Sequence, residues 1–234
     1  MPTADEYNID TYYREINFET RDRFMYDPPV RVGQEALAFD LPLVGGGNVS
    51  LAQLLERGHV ALIFGCFTAP PAMAQLPALE AHHRTYGGRG ISVLFVYTRE
   101  IHPGEYFPPH GTMEQKLDQA KRTAEHGRVS FPVAADDLEG STHVAYGGLP
   151  SMACVVQRDG TLIYRGSWTQ ADVLQIVFEN LLLRDRSEGK PSRNRVAYHE
   201  WLSFMPSESN DSWALLDLAG PKARADYERA NAPR

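Results

Sequence analysis

Three side chains able to move a proton fall in one short stretch: Glu100, His102 and His110. If the segment is extended, Glu100 and His102 point the same way, and Pro103 biases His102 toward extended backbone. A carboxylate beside an imidazole fixes its tautomer and raises its basicity, which is how a general acid/base pair is built. Together with His110 the pair also offers a carboxylate and two imidazoles to a divalent metal such as Zn, Fe, Ni or Cu. The competing reading is a hydrogen bond that fixes a loop. Cys66 is the other candidate. It stands just before an expected helix, whose dipole would favour thiolate; the bland alternative is a small buried hydrophobe. Cys154, in the run Ala-Cys-Val-Val, reads as a core thiol. Asp136-Asp137 reads as a turn that caps the following segment. His59, His82, His83, His126, His143 and His199 read as surface or helix-end residues.

The elements that must position these groups follow from periodicity. Residues 60–67 and 91–98 are nearly continuous apolar runs, the pattern of strands buried on both faces. Residues 70–86 have helical apolar spacing through Met73, Leu76 and Leu79; Pro70 and Pro71 are tolerated at the start, and Pro77 would kink the interior. Ser50 and Thr112 each stand three residues before a glutamine, the spacing of a capping box. A helix follows Thr112, then a short strand over 131–135. Asp159-Gly160 between two apolar runs is a hairpin signal, and an apolar helix over 173–183 closes the domain. The predicted fold is α/β: a central mixed sheet flanked by helices, spanning 39–185. An aromatic N-terminal arm (1–38) precedes it. A C-terminal helical tail (186–234) follows, with an aromatic cluster of Tyr198, Trp201 and Phe204 and a last helix near 213–230. Glu100 and His102 then lie beyond the C-terminal end of a central parallel strand, where open α/β sheets bind ligands. Tyr106, Phe107 and Trp168 offer an apolar wall there, or belong to the core.

Composition narrows the partners. Net charge is −7, with 23 Lys+Arg interspersed among 30 Asp+Glu. That argues against a nucleic-acid phosphate backbone or an anionic membrane as partner. No apolar stretch approaches the roughly 18–20 residues that span a bilayer. The polar N-terminus does not read as a secretory signal. The two cysteines form no CxxC pair, so a disulfide framework is not expected and a cytoplasmic location is. A small-molecule partner is expected, and a homodimer is left open.

The segment 64–86 resembles the strand-to-helix junction of thioredoxins in ungapped register. Ala69-Pro70-Pro71-Ala72 falls on that family's Cys-Gly-Pro-Cys, and Gly148-Leu149-Pro150 on its cis-proline loop. The iodothyronine deiodinases and their bacterial AhpC/TSA-like redoxin relatives are a narrower match. Gly65-Cys66-Phe67-Thr68-Ala69-Pro70-Pro71 is similar to their Gly-x-x-Thr-Sec/Cys-Pro-Pro. Glu100-Ile101-His102 is similar to their Glu-Ala-His, and the stretch from His110 through Met113-Glu114-Gln115-Lys116-Leu117 to their His-x-x-Leu-Gln-Asp-Arg-Leu. The resemblance implies a thioredoxin-like fold and a redoxin-type oxidoreductase scaffold acting on a small molecule. It places Ala69 at the nucleophile position and Thr68, Pro70, Pro71, Leu149 and Pro150 around the substrate. A methyl group cannot attack.

Three functions therefore stand side by side. One is a deiodinase/redoxin-type oxidoreductase whose thiol chemistry survives through Cys66, or was removed by an engineered replacement of cysteine at Ala69; it would need a thiol reductant. Another is a cysteine-independent enzyme using Glu100, His102 and His110. The last is a non-catalytic small-molecule-binding protein. The fold does not decide among them.

Overall fold

The computed structural model describes residues 2–13, 15–186, 199–201 and 210–232. The arm holds helices α1 (Ala4–Tyr7) and α2 (Glu15–Tyr26), the second ending just before Pro28-Pro29. Strands β1 (Asp40–Pro42) and β2 (Asn48–Ser50) form a small hairpin that leads into helix α3 (Leu51–Leu55). Ser50 accepts from the Gln53 amide while Gln53 returns the bond to the Ser50 amide, the capping box expected at that spacing. The central elements are β3 (His59–Gly65), α4 (Pro70–Tyr86), β4 (Ile91–Tyr97), α5 (Met113–Gly127), β5 (Val133–Ala135) and α6 (Ser141–Tyr146). They are followed by β6 (Ala153–Val156), β7 (Leu162–Gly166) and α7 (Ala171–Arg186). Beyond these come β8 (His199–Trp201), α8 (Asn210–Ala219) and α9 (Pro221–Ala230). Tyr198 and Phe204 of the expected aromatic cluster lie outside the described residues.

The main sheet has the order β5-β4-β3-β6-β7-β8. β3 pairs parallel with β4 along its whole length, from His59↔Ile91 to Gly65↔Tyr97, and β4 pairs parallel with β5. β6 runs antiparallel to β3 and to β7, with Asp159-Gly160 in the turn between β6 and β7 and Gly160 at φ +88°. The helical crossovers and the tight hairpin dictate this mixture of directions. β8 adds a parallel edge beside β7.

Side chains alternate across the sheet and divide the core in two. Ala61, Ile63, Val93, Phe95 and Tyr97 face α4, α7, the tail helices and the arm residues Ile9, Tyr12 and Ile16. Val60, Leu62, Phe64, Leu94 and Val96 face α3, the β1–β2 hairpin, Phe24 and Tyr146. Gly65 is where β3 hands over to α4. A Cβ there would lie 2.8 Å from the Phe95 ring and 2.9 Å from Ala72 Cβ, so only glycine lets helix and strand approach this closely. No helix among the described residues is long and apolar enough to cross a membrane.

One expectation fails. No peptide bond among the described residues is cis, so Leu149–Pro150 is trans. Leu149 packs in the core on the face away from Ala69, and its carbonyl meets His143 Nε2 at 2.8 Å. The loop is pinned by that bond and by two successive glycines at positive φ (Gly147 +135°, Gly148 +75°).

Candidate functional site

The loop 66–69 between β3 and α4 faces the segment that leaves β4, and Thr68 joins them. Thr68 is fully buried. Its amide and its hydroxyl both donate to Glu100 Oε2, at 2.9 and 2.6 Å. With its proton committed there, Thr68 Oγ1 serves as acceptor for the His102 amide at 3.1 Å and for the Cys66 thiol at 3.7 Å. Tyr97 at the end of β4 donates its hydroxyl to the other oxygen, Glu100 Oε1. His110 Nε2 stands 3.9 Å from that same oxygen. Two loops distant in sequence are thus fastened by one carboxylate.

The electrostatics follow from burial. Glu100 is 1% exposed, and desolvation holds its carboxyl above the ordinary range against the pull of the Thr68 and Tyr97 donors. Burial, and then the charge of Glu100, push the Cys66 thiol well up. Cys66 is fully buried beside Thr68, the arrangement of a small buried hydrophobe rather than of an exposed thiol. Cys154, pushed up to about 12 by burial, packs on the opposite sheet face.

Glu100 and His102 do not present their side chains together. The His102 ring is 4.2 Å from Tyr12 of the arm and 5.2 Å from Tyr227 of α9, and its Nδ1 has no hydrogen-bond partner. Burial lowers its pKa to about 3. His110 is the imidazole that reaches Glu100. Gln119 Nε2 donates to the Pro108 carbonyl, which leaves Gln119 Oε1 to accept from His110 Nε2 at 3.2 Å. His110 Nδ1 is then a buried lone pair without a partner. Desolvation, and secondarily the charge of Lys116, lower His110 to about 3. No group of three His, Cys, Asp or Glu among the described residues is arranged to hold a metal ion. Of the three residues that a metal would need, His102 turns away from Glu100 and His110 toward Tyr12 and Tyr227.

Ala69 is the residue before α4 and is 1% exposed; Pro70 and Pro71 beside it are half-buried. Its carbonyl accepts from Ala72 at 3.0 Å and Met73 at 3.1 Å. Pro70 and Pro71 carry no N–H, so the helix start presents none of the free donors that usually hold an anion. Phe67 is stacked on Phe107 at 3.7 Å, which anchors the loop on its other side. Leu149, expected beside the substrate, packs on the opposite face of the sheet from Ala69.

A second buried network joins Lys116, the Asp136-Asp137 turn, His143 and Tyr7, and of these the sequence marks only the turn. Lys116 on α5 is 0% exposed and donates to the Asp137 carbonyl at 2.7 Å. Its burial lowers it to about 8, against the pull of Asp136 and Asp137. Asp136 is saturated by the amides of Asp137, Thr142 and His143, so it caps α6 as the turn reading expects. His143 is buried, not at the surface, and so is His59, which joins Asp185 Oδ2 at 3.0 Å. Because His143 Nε2 faces a carbonyl, it must donate, and Nδ1 accepts from the Tyr7 hydroxyl at 2.7 Å. The Tyr7 ring has Arg99 at 5.0 Å and Lys116 at 5.4 Å. The only sequence signal was the adjacency of Arg99 to Glu100; a tyrosine from the arm cannot be assigned to this slot by spacing.

Comparison with solved structures finds the same fold. A hypothetical protein from Sinorhizobium meliloti 1021 is 19% identical with a TM-score of 0.57, over 74% of this chain and 90% of that one. An uncharacterized conserved protein from Geobacillus kaustophilus is also 19% identical, TM-score 0.56, over 76% and 94%. A thiol:disulfide interchange protein from a Bacteroides species is 15% identical, TM-score 0.54, over 71% and 99%. Comparison with curated proteins gives no match. The sequence pattern of the AhpC/TSA family matches residues 32–166, more than half of the chain. With the sheet order, the β3–α4 junction and the β6–β7 hairpin, that match makes this chain a thioredoxin-fold member of the AhpC/TSA redoxin family.

Proposed function

We propose that this chain is a redoxin that works without a thiolate and binds a small molecule at the corner formed by Ala69, Pro70 and Pro71 with Glu100 and His110. The observation that carries this is the state of the thiol nearest the helix start. Cys66 is fully buried, donates to Thr68, and is driven toward the neutral form by burial and by Glu100. Thiol redox chemistry needs the opposite: an exposed sulfur in an electropositive setting. The resemblance to deiodinases supports a small-molecule ligand. It does not support reductive chemistry, since Ala69 holds the position of the attacking atom.

One observation favours a second reading, acid–base catalysis at the same corner. His110 Nδ1 is a buried, unpartnered base on a ring whose other nitrogen is within 3.9 Å of Glu100. Such a base could take a proton from a bound substrate.

The test is a pair of assays on the full chain. Reduction of hydrogen peroxide and of a protein disulfide, with dithiothreitol as reductant, should run at the rate without protein. A metabolite panel screened by thermal shift should give a stabilising compound whose effect is lost in His110→Ala. Peroxide or disulfide turnover that disappears in Cys66→Ser would overturn the proposal.

A further inference from the structure

The residues that seal the Thr68 corner come from outside the family-matched segment 32–166. Ile9, Tyr12 and Ile16 of the arm share one apolar cluster with Cys66, Phe67 and Ala69. Tyr12 covers His102 at 4.2 Å. Tyr7 fills a slot whose floor is Gly140, at φ +69°, where a Cβ would come within 2.1 Å of the ring. Its ring is buried with Arg99 and Lys116 over it, and its polar contacts are one bond to His143, one from the Arg99 amide at 3.3 Å, and one from Arg99 Nη1 to its carbonyl at 3.0 Å. Residues 8–13 link this end to α2 without regular structure. The far end of the arm is held separately: Phe24 sits against Gly147 with Arg165 over its ring at 4.1 Å.

We infer that residues 3–13 form a lid over the Cys66–Thr68–Glu100 corner, latched by Tyr7 and Tyr12, and that it lifts while α2 stays docked through Phe24. The lid is tied from the other side by α9, where Lys222 Nζ donates to the Asp10 carbonyl and Tyr227 stacks on Tyr12 at 5.8 Å. Residues 3–13 pair with no strand of the sheet, so lifting them gives up their own side-chain contacts and leaves the pairing of β3 with β4 and β6 intact, an opening below the cost of unfolding the sheet. The ligand of the proposed function would enter by this route, so the lid's biological use rests on that reading; its opening does not and is measured without ligand.

The chain supplies its own reporters. Cys66 lies under the lid, and Cys154 lies in the opposite face of the sheet. Both should alkylate slowly with iodoacetamide in the native protein. In Tyr7→Ala the modification of Cys66, followed by peptide mass spectrometry, should accelerate about tenfold or more while Cys154 stays at its wild-type rate. Hydrogen exchange on the unaltered chain covers the case of a variant that folds poorly. The Arg99 amide, bonded to the Tyr7 hydroxyl across the lid boundary, should exchange through an opening that leaves β3 and β4 protected. An unchanged Cys66 rate in Tyr7→Ala, an equal rise at both cysteines, or exchange of the Arg99 amide only together with the sheet would each overturn the lid.

Discussion

Replacing Glu100 separates a loop fastener from an exposed proton donor. Its carboxylate receives three buried donors: the Thr68 amide, the Thr68 hydroxyl and the Tyr97 hydroxyl. Glu100→Ala strands all three in a dry interior. Each orphaned donor costs about 1–3 kcal/mol, so with partial relaxation the loss should be about 3–5 kcal/mol. That is a large part of the roughly 5–15 kcal/mol that holds a domain together. Glu100→Gln differs in kind. The amide oxygen can keep both Thr68 donors, and the amide N–H₂ can donate to a Tyr97 hydroxyl that rotates to accept. The loss should then be about 1 kcal/mol, the difference between charge-assisted and neutral bonds partly offset by no longer burying a charge. Urea unfolding measures both, read as a shift in midpoint at constant m-value. Equal stability of the two variants, or wild-type stability in Glu100→Ala, would refute the fastener.

Other expectations follow from the same burial. Buried neutral His102, His110 and His143, each lowered to about 3, must bind protons on unfolding in acid. Their contribution to stability is present above the unfolded pKa of about 6.5 and is lost as pH falls toward 3, by up to about 1.4 kcal/mol per pH unit per histidine. Glu100 and Asp136, raised by burial, act oppositely above their unfolded pKa. Urea midpoints between pH 7 and 4 should therefore fall, and a flat profile would contradict neutral buried imidazoles. Ala69→Ser should gain under about 0.5 kcal/mol rather than the usual ~1 of a new N-cap, because Pro71 at the second helical position has no N–H and the Ala72 amide at the third is already bonded to the Ala69 carbonyl; thermal unfolding decides, and a full gain would mean that a free donor exists there. Tyr7→Phe should cost about 1–2 kcal/mol in urea unfolding by leaving His143 Nδ1 without its donor; no loss would mean the bond is not made.

The fold was legible because its signals are local. The apolar runs at 60–67 and 91–98, the Asp159-Gly160 turn and the Ser50 capping box each specify an element from neighbouring residues, and all of them form. The site was legible only as a list of residues. Glu100 and His102 are two apart, but alternation predicts a common direction only in a regular strand, and β4 has ended at Tyr97. Past that point Thr68 dictates the geometry, taking the Glu100 side chain and the His102 backbone and leaving the imidazole to Tyr12 and Tyr227. Tyr7, His143 and Lys116 were missed because their meeting depends on an arm far away in sequence. The trans Leu149–Pro150 bond was misread by analogy: the analogous loop is present, but here a histidine and two glycines fix its path.

Ala69 brings the chemistry and the helix start into one argument. A nucleophilic thiolate at such a junction ordinarily draws on free amides at the helix N-terminus and on nearby positive charge. Here the first two helical residues are prolines, the next two amides are spent on the Ala69 carbonyl, and the charge that acts most on Cys66 is the Glu100 carboxylate. The nearest imidazoles are neutral, and Lys116 is turned to the Asp137 carbonyl. Every term that would lower a thiol pKa is weak or directed elsewhere, so the surroundings agree with the methyl group. Restoring sulfur alone should not restore a thiolate. Ala69→Cys should give a thiol that alkylates below about pH 8 no faster than a free cysteine, whose pKa is about 8.5. A sulfur ionised near pH 6 in that variant would show instead that the corner still holds the electrostatics of a thiol enzyme.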